Sequence, residues 1–205
     1  MDGTLVDTLK ITMVSLSTVC PRLGLDVPTE ETVRSLIGLA DEQFYGAMYP
    51  GITEDTLRRL ARQVEVREAE AAEALGEGVL FPGVLEMLEQ LGLDGVPLFL
   101  ASTGSPFHVD TTLDAFGGKR FFQEINCGEA DKVDMTARIL KRYGSPMIFV
   151  GDTAKDIEAA RGNDLPVVGA GYGYVAAEHR VLFDRVFDSA QDLCAYLLSM
   201  TCYNS

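Results

Sequence analysis

Two aspartates, Asp152 and Asp156, lie four residues apart directly after a short apolar run. The run 148–150 predicts a buried strand, and the residues that follow predict a helix. Asp152 at the strand end can reach a cation directly, and Asp156, one helical turn later, can complete or orient the coordination shell. Carboxylate oxygens suit Mg²⁺, which keeps several waters and takes one or two acids plus a phosphate oxygen. The alternative of first-turn acids favoured by the helix dipole explains Glu158 well and Asp152 poorly.

The first eight residues also carry chemical groups. Asp2 lies in a segment that predicts a loop leading into a helix, where Gly3 permits a sharp turn and Thr4 can close the loop by a hydrogen bond. Phosphoryl transfer to a carboxylate needs a nucleophile, a divalent cation and an acid for the leaving oxygen. The alternative is an ordinary Asp-Gly turn, which occurs in many unrelated proteins.

A third polar segment, Ser102-Thr103-Gly104-Ser105, follows the apolar run that ends at Ala101. A hydroxyl at Ser102, together with adjacent backbone N–H groups, can hold a phosphoryl oxygen. The alternative is a polar loop that caps the following helix. Lys132 stands just before another predicted helix, where the alternative is a surface lysine.

Taken in their order along the chain (Asp2, Ser102, Lys132, then Asp152 and Asp156), these four segments resemble the four motifs of the haloacid dehalogenase-like hydrolase superfamily. The resemblance implies that Asp2 is the second aspartate of the first motif and that the nucleophilic aspartate stands one residue before Met1. It also implies that Asp2 protonates the leaving oxygen and then activates the hydrolytic water. The phosphoryl group is then held by the catalytic residues Ser102 and Lys132 and by Gly3, Thr103 and Gly104, and Mg²⁺ is held by Asp152, Asp156 and the main-chain carbonyl of Asp2.

The segment Gly171-Tyr172-Gly173, after the run 167–169, is similar to a segment of the phosphoglycolate phosphatase-like branch. A flexible glycine-rich connection is an equally compatible interpretation.

The elements that position these groups alternate along the chain. Strands are predicted from short apolar runs at 96–101, 121–126, 147–150, 167–169 and 185–187, with helices between them. This alternation predicts an α/β fold with a doubly wound parallel sheet, whose ligands bind beyond the carboxyl ends of the strands. Residues 8–76 show only helical patterns, including 54–75, and predict an all-helical cap. The predicted domains are therefore a core of 1–7 and 77–205 and a cap of 8–76.

The resemblance also implies a central strand between those at Leu98 and Phe149, and the residues after Met1 do not supply it. Without it, two rows of backbone groups inside the sheet would be unpaired, each at a cost of about 1–3 kcal/mol. We therefore expect an apolar segment ending in Asp before Met1. A chain that starts at Met1 is predicted to have no turnover.

Composition excludes some partners. The net charge of −14 disfavours binding to nucleic acid or to an anionic membrane through a general basic surface. No apolar run is long enough to span a membrane, and we expect a cytoplasmic protein. The four cysteines, Cys20, Cys127, Cys194 and Cys202, form no CxxC pair and are expected to be reduced thiols.

The leading hypothesis is a Mg²⁺-dependent phosphatase acting on a small phosphorylated metabolite. Asp2 argues against a dehalogenase, which typically lacks an acid there, and Thr12 stands where related sugar phosphomutases typically carry histidine. The alternative is a degenerate or truncated chain that binds a phosphorylated ligand or partner without turnover. Arg34, Arg67 and Tyr45 are possible substrate contacts, although solvated helix faces are the simpler interpretation. Phosphoglycolate, a nucleotide and a sugar phosphate stay open as substrates, as does the oligomeric state.

Overall fold

The structure, a computed structural model, describes residues 1–201. Its strands are β1 (Leu98–Ser102), β2 (Phe122–Cys127), β3 (Phe149–Gly151), β4 (Val167–Ala170) and β5 (Arg185–Phe187). Its α-helices are α1 (Thr8–Val19), α2 (Glu30–Leu36), α3 (Asp41–Met48), α4 (Glu54–Leu75), α5 (Val84–Leu93), α6 (Pro106–Ala115), α7 (Lys132–Tyr143), α8 (Ala154–Arg161) and α9 (Ala190–Thr201). Short 3₁₀ turns lie at Cys20–Leu23, Gly76–Val79, Gly118–Phe121 and Ala177–Leu182.

All strand pairs in the described residues are parallel, and helices separate the strands along the chain, so the predicted α/β class is confirmed. The strand bounds differ from the predicted ones by no more than two residues. β1 begins at Leu98 rather than at Val96. Pro97 explains this shift, because proline has no N–H to donate to a neighbouring strand.

The described residues form two parallel sheets, in agreement with the expectation that the residues after Met1 do not supply a strand between those at Leu98 and Phe149. One has the order β1–β2, and the other has the order β3–β4–β5. No strand within residues 1–201 joins β1 to β3. One hydrophobic cluster nevertheless spans both sheets, since Leu100 of β1 and Val168 of β4 belong to it together with Val6, Leu88 and Leu113.

Residues 8–75 contain helices and no strand, as the sequence predicts. Thr29 and Thr53 cap α2 and α4 by accepting hydrogen bonds from the N–H groups of Thr32 and Thr56. A separate hydrophobic cluster holds these helices together, and it includes Leu16, Val33, Phe44, Leu60 and Val64. The domain boundaries at 7/8 and 76/77 stay a prediction.

The described residues also bear on the expectations about membrane spans and about the cysteines. Among residues 1–201, no helix has the length and apolar character needed to cross a membrane. Cys20, Cys127 and Cys194 are free thiols, and Cys202 lies outside the described residues.

Candidate active site

The segment from Met1 to Thr8 folds into a tight loop around the main-chain carbonyl of Met1. That oxygen accepts hydrogen bonds from the N–H groups of Leu5 at 2.8 Å and of Thr4 and Val6 at 3.2 Å. Gly3 has a φ of +72°, and a Cβ atom at this position would lie 1.9 Å from Oδ2 of Asp152. Only glycine therefore fits here, since both the left-handed backbone and the close approach exclude a side chain.

The Tyr172-Gly173-Tyr174 segment fixes this loop from one side. The Tyr172 hydroxyl donates to the Thr4 carbonyl at 3.0 Å, and the Tyr174 hydroxyl donates to Asp7 Oδ1 at 2.7 Å. A Cβ at Gly173 would lie 1.7 Å from the Gly3 carbonyl oxygen. The glycine-rich segment is thus a close packing surface for the first loop.

Asp152 lies immediately after β3 and faces the first loop. It is 1% exposed, and its Oδ1 accepts a hydrogen bond from the Thr4 hydroxyl at 2.7 Å. Its Oδ2 is buried with no hydrogen-bond partner. Burial, reinforced by the charge of Asp156, raises the pKa of Asp152 to about 7. A buried carboxylate oxygen without a partner is unusual in a folded protein and calls for a ligand that the protein itself does not supply.

Asp156 is already fully engaged. Its Oδ1 accepts from Lys132 Nζ at 2.7 Å, and its Oδ2 accepts from the N–H groups of Asp152 and Thr153 and from the Thr153 hydroxyl. Asp156 and Lys132 are 3% and 8% exposed. Burial opposes the charge on Asp156, but Lys132 outweighs it and lowers the pKa of Asp156 to about 2. Asp156 therefore positions Lys132 and the Asp152 backbone.

The second loop lies beside the first. Ser102 is buried, and its hydroxyl accepts a hydrogen bond from the Gly104 N–H at 3.2 Å. The Thr103 hydroxyl donates to the Gly38 carbonyl at 3.0 Å, which connects this loop to the helical region. Ser105 caps α6 by accepting from the His108 N–H at 3.1 Å. The capping alternative thus applies to Ser105, while Ser102 lies deeper.

Asp2 forms contacts that the sequence patterns did not reveal. Its Oδ1 accepts from the Thr8 hydroxyl at 2.6 Å and lies 2.8 Å from His108 Nε2. On the other side of the ring, His108 Nδ1 lies 3.4 Å from Glu68 Oε2. Burial opposes the charge on each group. The charge and hydrogen bond of Asp2, together with Glu68, raise the pKa of His108 well above its ordinary value. In turn, His108 holds the pKa of Asp2 well below the ordinary value of an aspartate.

A sequence signal for this contact exists in α4. Leu60, Val64, Glu68 and Ala72 recur every four residues and are the buried positions of the helix. Glu68 is thus an acid on the apolar face of α4, and a carboxylate there needs a partner. Thr12 supplies one hydrogen bond to it at 2.5 Å, and His108 supplies the charge.

We predict that His108→Gln lowers the free energy of unfolding by about 2 kcal/mol, because glutamine keeps a hydrogen-bonding group but loses the charge between two partly buried carboxylates. Urea unfolding measures the effect. His179→Gln, outside the site, is the matched control and is expected to change stability by less than about 0.5 kcal/mol. Equal effects of the two substitutions would show that the Asp2–His108–Glu68 contact carries no stability.

The donor set fits Mg²⁺ at Asp152. The unpartnered Oδ2 offers one carboxylate ligand, and Mg²⁺ completes its shell with waters and phosphate oxygens. Within the described residues, no group of three or more His, Cys, Asp or Glu side chains is arranged to hold a metal by itself. The metal-ligand roles of Asp2 and Asp156 stay predictions, as do the phosphate-binding roles of Gly3, Ser102, Thr103, Gly104 and Lys132.

The structure brings the predicted groups into one region. The Thr4–Asp152 hydrogen bond joins the loop of residues 1–8 to the end of β3, and the Lys132–Asp156 pair joins α7 to α8. His108 of α6, the helix that follows the Ser102 loop, contacts Asp2. Burial opposes the charge on Lys132, but Asp156 and then Asp152 and Asp2 raise its pKa.

Comparisons with known proteins identify the family of the chain. The sequence matches the haloacid dehalogenase-like hydrolase family over residues 1–170. It is 29% identical to a phosphoglycolate phosphatase of Agrobacterium fabrum over 195 residues, which cover 85% of this chain and 79% of that protein. A phosphoglycolate phosphatase of Pseudomonas syringae is also 29% identical, with 85% of this chain and 68% of that protein covered.

Solved structures share the fold. A predicted phosphoglycolate phosphatase from Haemophilus somnus superposes with a TM-score of 0.85 at 25% identity, covering 96% of this chain and 95% of the other. CbbY from Rhodobacter sphaeroides, solved in complex with phosphate, has a TM-score of 0.77 at 22% identity, with 94% and 93% covered. At that identity, the second likeness concerns the fold alone.

Proposed function

The chain belongs to the haloacid dehalogenase-like hydrolase family, and we propose that it is a Mg²⁺-dependent phosphatase of small phosphomonoesters. The proposal depends most on Asp152, whose buried Oδ2 has no partner and faces the loop that contains Asp2 and Gly3. A divalent cation at this oxygen would offset the cost of burying the carboxylate. When bound, Mg²⁺ would neutralise negative charge on the phosphoryl group.

The residues of this chain then have distinct proposed roles. Asp2, whose carboxylate lies 2.8 Å from Nε2 of the protonated His108, relays a proton from that ring to the leaving oxygen and later takes one from the attacking water. The Ser102 hydroxyl and the Lys132 ammonium hold phosphoryl oxygens, and Asp156 keeps Lys132 in place. The aspartate that family resemblance places before Met1 attacks phosphorus and forms the aspartyl-phosphate intermediate.

Residues 8–76 are proposed to form the cap that contacts the leaving group. Support comes from their separate hydrophobic cluster and from two contacts with the core, Glu68–His108 and Gly38–Thr103. We also propose that the partner is a small phosphorylated metabolite rather than nucleic acid or a membrane, because the net charge is −14. A cytoplasmic location is proposed on the same composition.

The nucleophile assignment makes a direct prediction. The chain extended at its start by an apolar strand that ends in Asp is expected to turn over a generic aryl phosphate in Mg²⁺, because the family resemblance assigns the attack to an aspartate at that place. The same extension ending in Asn is expected not to turn over. Steady-state release of the aryl alcohol measures both proteins.

An extension ending in Asn is the matched control, since it supplies the same strand without the nucleophile. Turnover by the Asn-extended chain, free of contaminating phosphatase, would show that the nucleophile is assigned wrongly. No turnover by any of the proteins, with phosphate binding retained, would favour the alternative of a protein that binds a phosphorylated ligand without hydrolysis.

A further inference from the structure

A small cavity of about 70 Å³ lies between the first two loops and the helices of residues 8–75. Asp2, Thr103 and Gly104 line it on one side, and Phe44, Glu65 and Glu68 are among the residues that line the other. If the proposed function is right, the leaving group occupies this cavity, because Asp2 must reach the leaving oxygen to protonate it. The side chains that line the cavity then select the alcohol part of the substrate.

The charges around this cavity are mainly negative. Three carboxylates line it, those of Asp2, Glu65 and Glu68, and the single histidine among the lining residues, His108, lies between two of them. The structure describes every residue of the lining, and none of them is lysine or arginine. An anionic group placed here would meet unfavourable charges at short range in partly buried surroundings.

Basic residues close to the lining in sequence or in space lie outside the lining. Lys10 pairs with Asp7 at 3.0 Å, and Arg62 is exposed. Arg67, on α4 between Glu65 and Glu68, pairs with Glu70 at 2.6 Å. Arg34 is exposed and lies over the Tyr174 ring, with its guanidinium carbon 5.2 Å from the ring centroid. Lys132 is buried against Asp156 and belongs to the phosphoryl side of the site. None of these residues lines the cavity.

The carboxylates that line the cavity suit ligands that donate hydrogen bonds. Glu65 accepts a hydrogen bond from the Ser105 hydroxyl, and a carboxylate has about four acceptor positions. The remaining lining includes the apolar side chains Ile37, Leu39, Phe44 and Ala61. A small alcohol with hydroxyl or ammonium groups therefore matches both the acceptors and the size of the space.

We propose that the substrate is the phosphomonoester of a small alcohol that carries no negative charge and that presents hydroxyl or ammonium donors to Glu65. The proposal deepens the proposed phosphatase function and depends on it. It separates this chain from the relatives named phosphoglycolate phosphatase, because glycolate as a leaving group would place a carboxylate among the three acids.

Calorimetric titration in millimolar Mg²⁺ at neutral pH tests the proposal without requiring turnover. The ligands are inorganic phosphate, glycerol phosphate, phosphoethanolamine and 2-phosphoglycolate. We expect glycerol phosphate and phosphoethanolamine to bind roughly tenfold more tightly than 2-phosphoglycolate, because only the last brings an anion into the cavity. 2-Phosphoglycolate binding as tightly as the other two, with inorganic phosphate also bound, would overturn the proposal and leave the phosphatase function intact.

Two variants distinguish the effect of a charge that lines the cavity from that of a charge elsewhere on the same helix. Glu65→Gln keeps an acceptor for Ser105 and removes one negative charge, so it is expected to raise the affinity for 2-phosphoglycolate relative to glycerol phosphate about threefold or more. Glu70→Gln removes the same charge from the same helix outside the cavity and is expected to leave that ratio unchanged. Equal ratios in the two variants would overturn the charge explanation. Failure of every ligand, inorganic phosphate included, would contradict the proposed function itself.

Discussion

Asp152→Asn is expected to make the cation-free protein more stable and to remove its response to Mg²⁺. Above neutral pH the wild-type carboxylate is ionised in a buried position, and its pKa of about 7, raised from 3.8, corresponds to a cost of about 4 kcal/mol. Asparagine removes this cost but leaves an amide N–H without a partner, at about 1–3 kcal/mol. The expected net gain is about 1–3 kcal/mol, measured by urea unfolding at pH about 8.

The pH dependence of this gain has a defined direction. In the unfolded chain Asp152 ionises near its ordinary pKa of 3.8, whereas in the folded protein it stays protonated until about 7. The unfolded state therefore binds fewer protons in this interval, and this group makes the wild type less stable as the pH rises through it. The difference between Asp152→Asn and wild type is expected to grow from about pH 4 to pH 7 and to be constant above it.

The second part of this prediction concerns the effect of Mg²⁺ on the melting temperature. We expect millimolar Mg²⁺ to raise the melting temperature of the wild type above neutral pH, because the cation binds the folded carboxylate. The shift is expected to be lost in Asp152→Asn and kept in Asp188→Asn, which removes one charge from an exposed pair with Arg180. An unchanged melting temperature of the wild type in Mg²⁺, or an equal rise in the Asp152→Asn variant, would contradict the metal assignment.

Asp156→Ala is expected to lower the free energy of unfolding by about 3–5 kcal/mol. The substitution leaves the Lys132 ammonium buried without its partner and removes the acceptor for the N–H groups of Asp152 and Thr153. The unpaired charge dominates the effect, because breaking a buried pair on one side costs more than the pair itself contributes. Urea unfolding above pH about 5 measures the loss, since Asp156 is ionised there.

Glu129→Ala is the matched control, because it breaks the exposed pair with Arg138 and is expected to cost less than about 1 kcal/mol. Asp156→Asn provides a second measurement if the alanine variant does not fold. It keeps an acceptor oxygen and is expected to have an intermediate effect. A loss below about 1 kcal/mol in Asp156→Ala would show that Lys132 finds another partner and that Asp156 does not position it.

Local patterns predicted that Ser102 and Asp152 lie at the ends of apolar strands and that Lys132 begins a helix, and β1, β3 and α7 place them there. Asp2 lies in the loop before α1, as the segment around it predicts. The sequence did not predict the hydrogen-bond partners of Asp156. Spacing alone is compatible with a metal ligand or with a residue that orients its neighbours, and the structure shows that both oxygens of Asp156 accept hydrogen bonds.

The contact between Asp2, His108 and Glu68 shows what local patterns cannot predict. Glu68 and His108 are 40 residues apart, and their meeting depends on how α4 packs against α6. The buried stripe of α4 identifies Glu68 as an acid on an apolar face, but not which residue pairs with it. Strand pairing is likewise a long-range property, and the separation into two sheets was expected only through the family resemblance, which implies a strand between Leu98 and Phe149 that residues 1–201 do not supply.

The most direct measurement is a crystal structure of the protein grown with Mg²⁺ and inorganic phosphate. We expect the cation about 2.1 Å from Asp152 Oδ2, with the phosphate between it and the Ser102 and Lys132 side chains. A cation and a phosphate bound elsewhere, with Asp152 Oδ2 still without a ligand, would contradict the assignment of this region as a metal-dependent phosphoryl-transfer site.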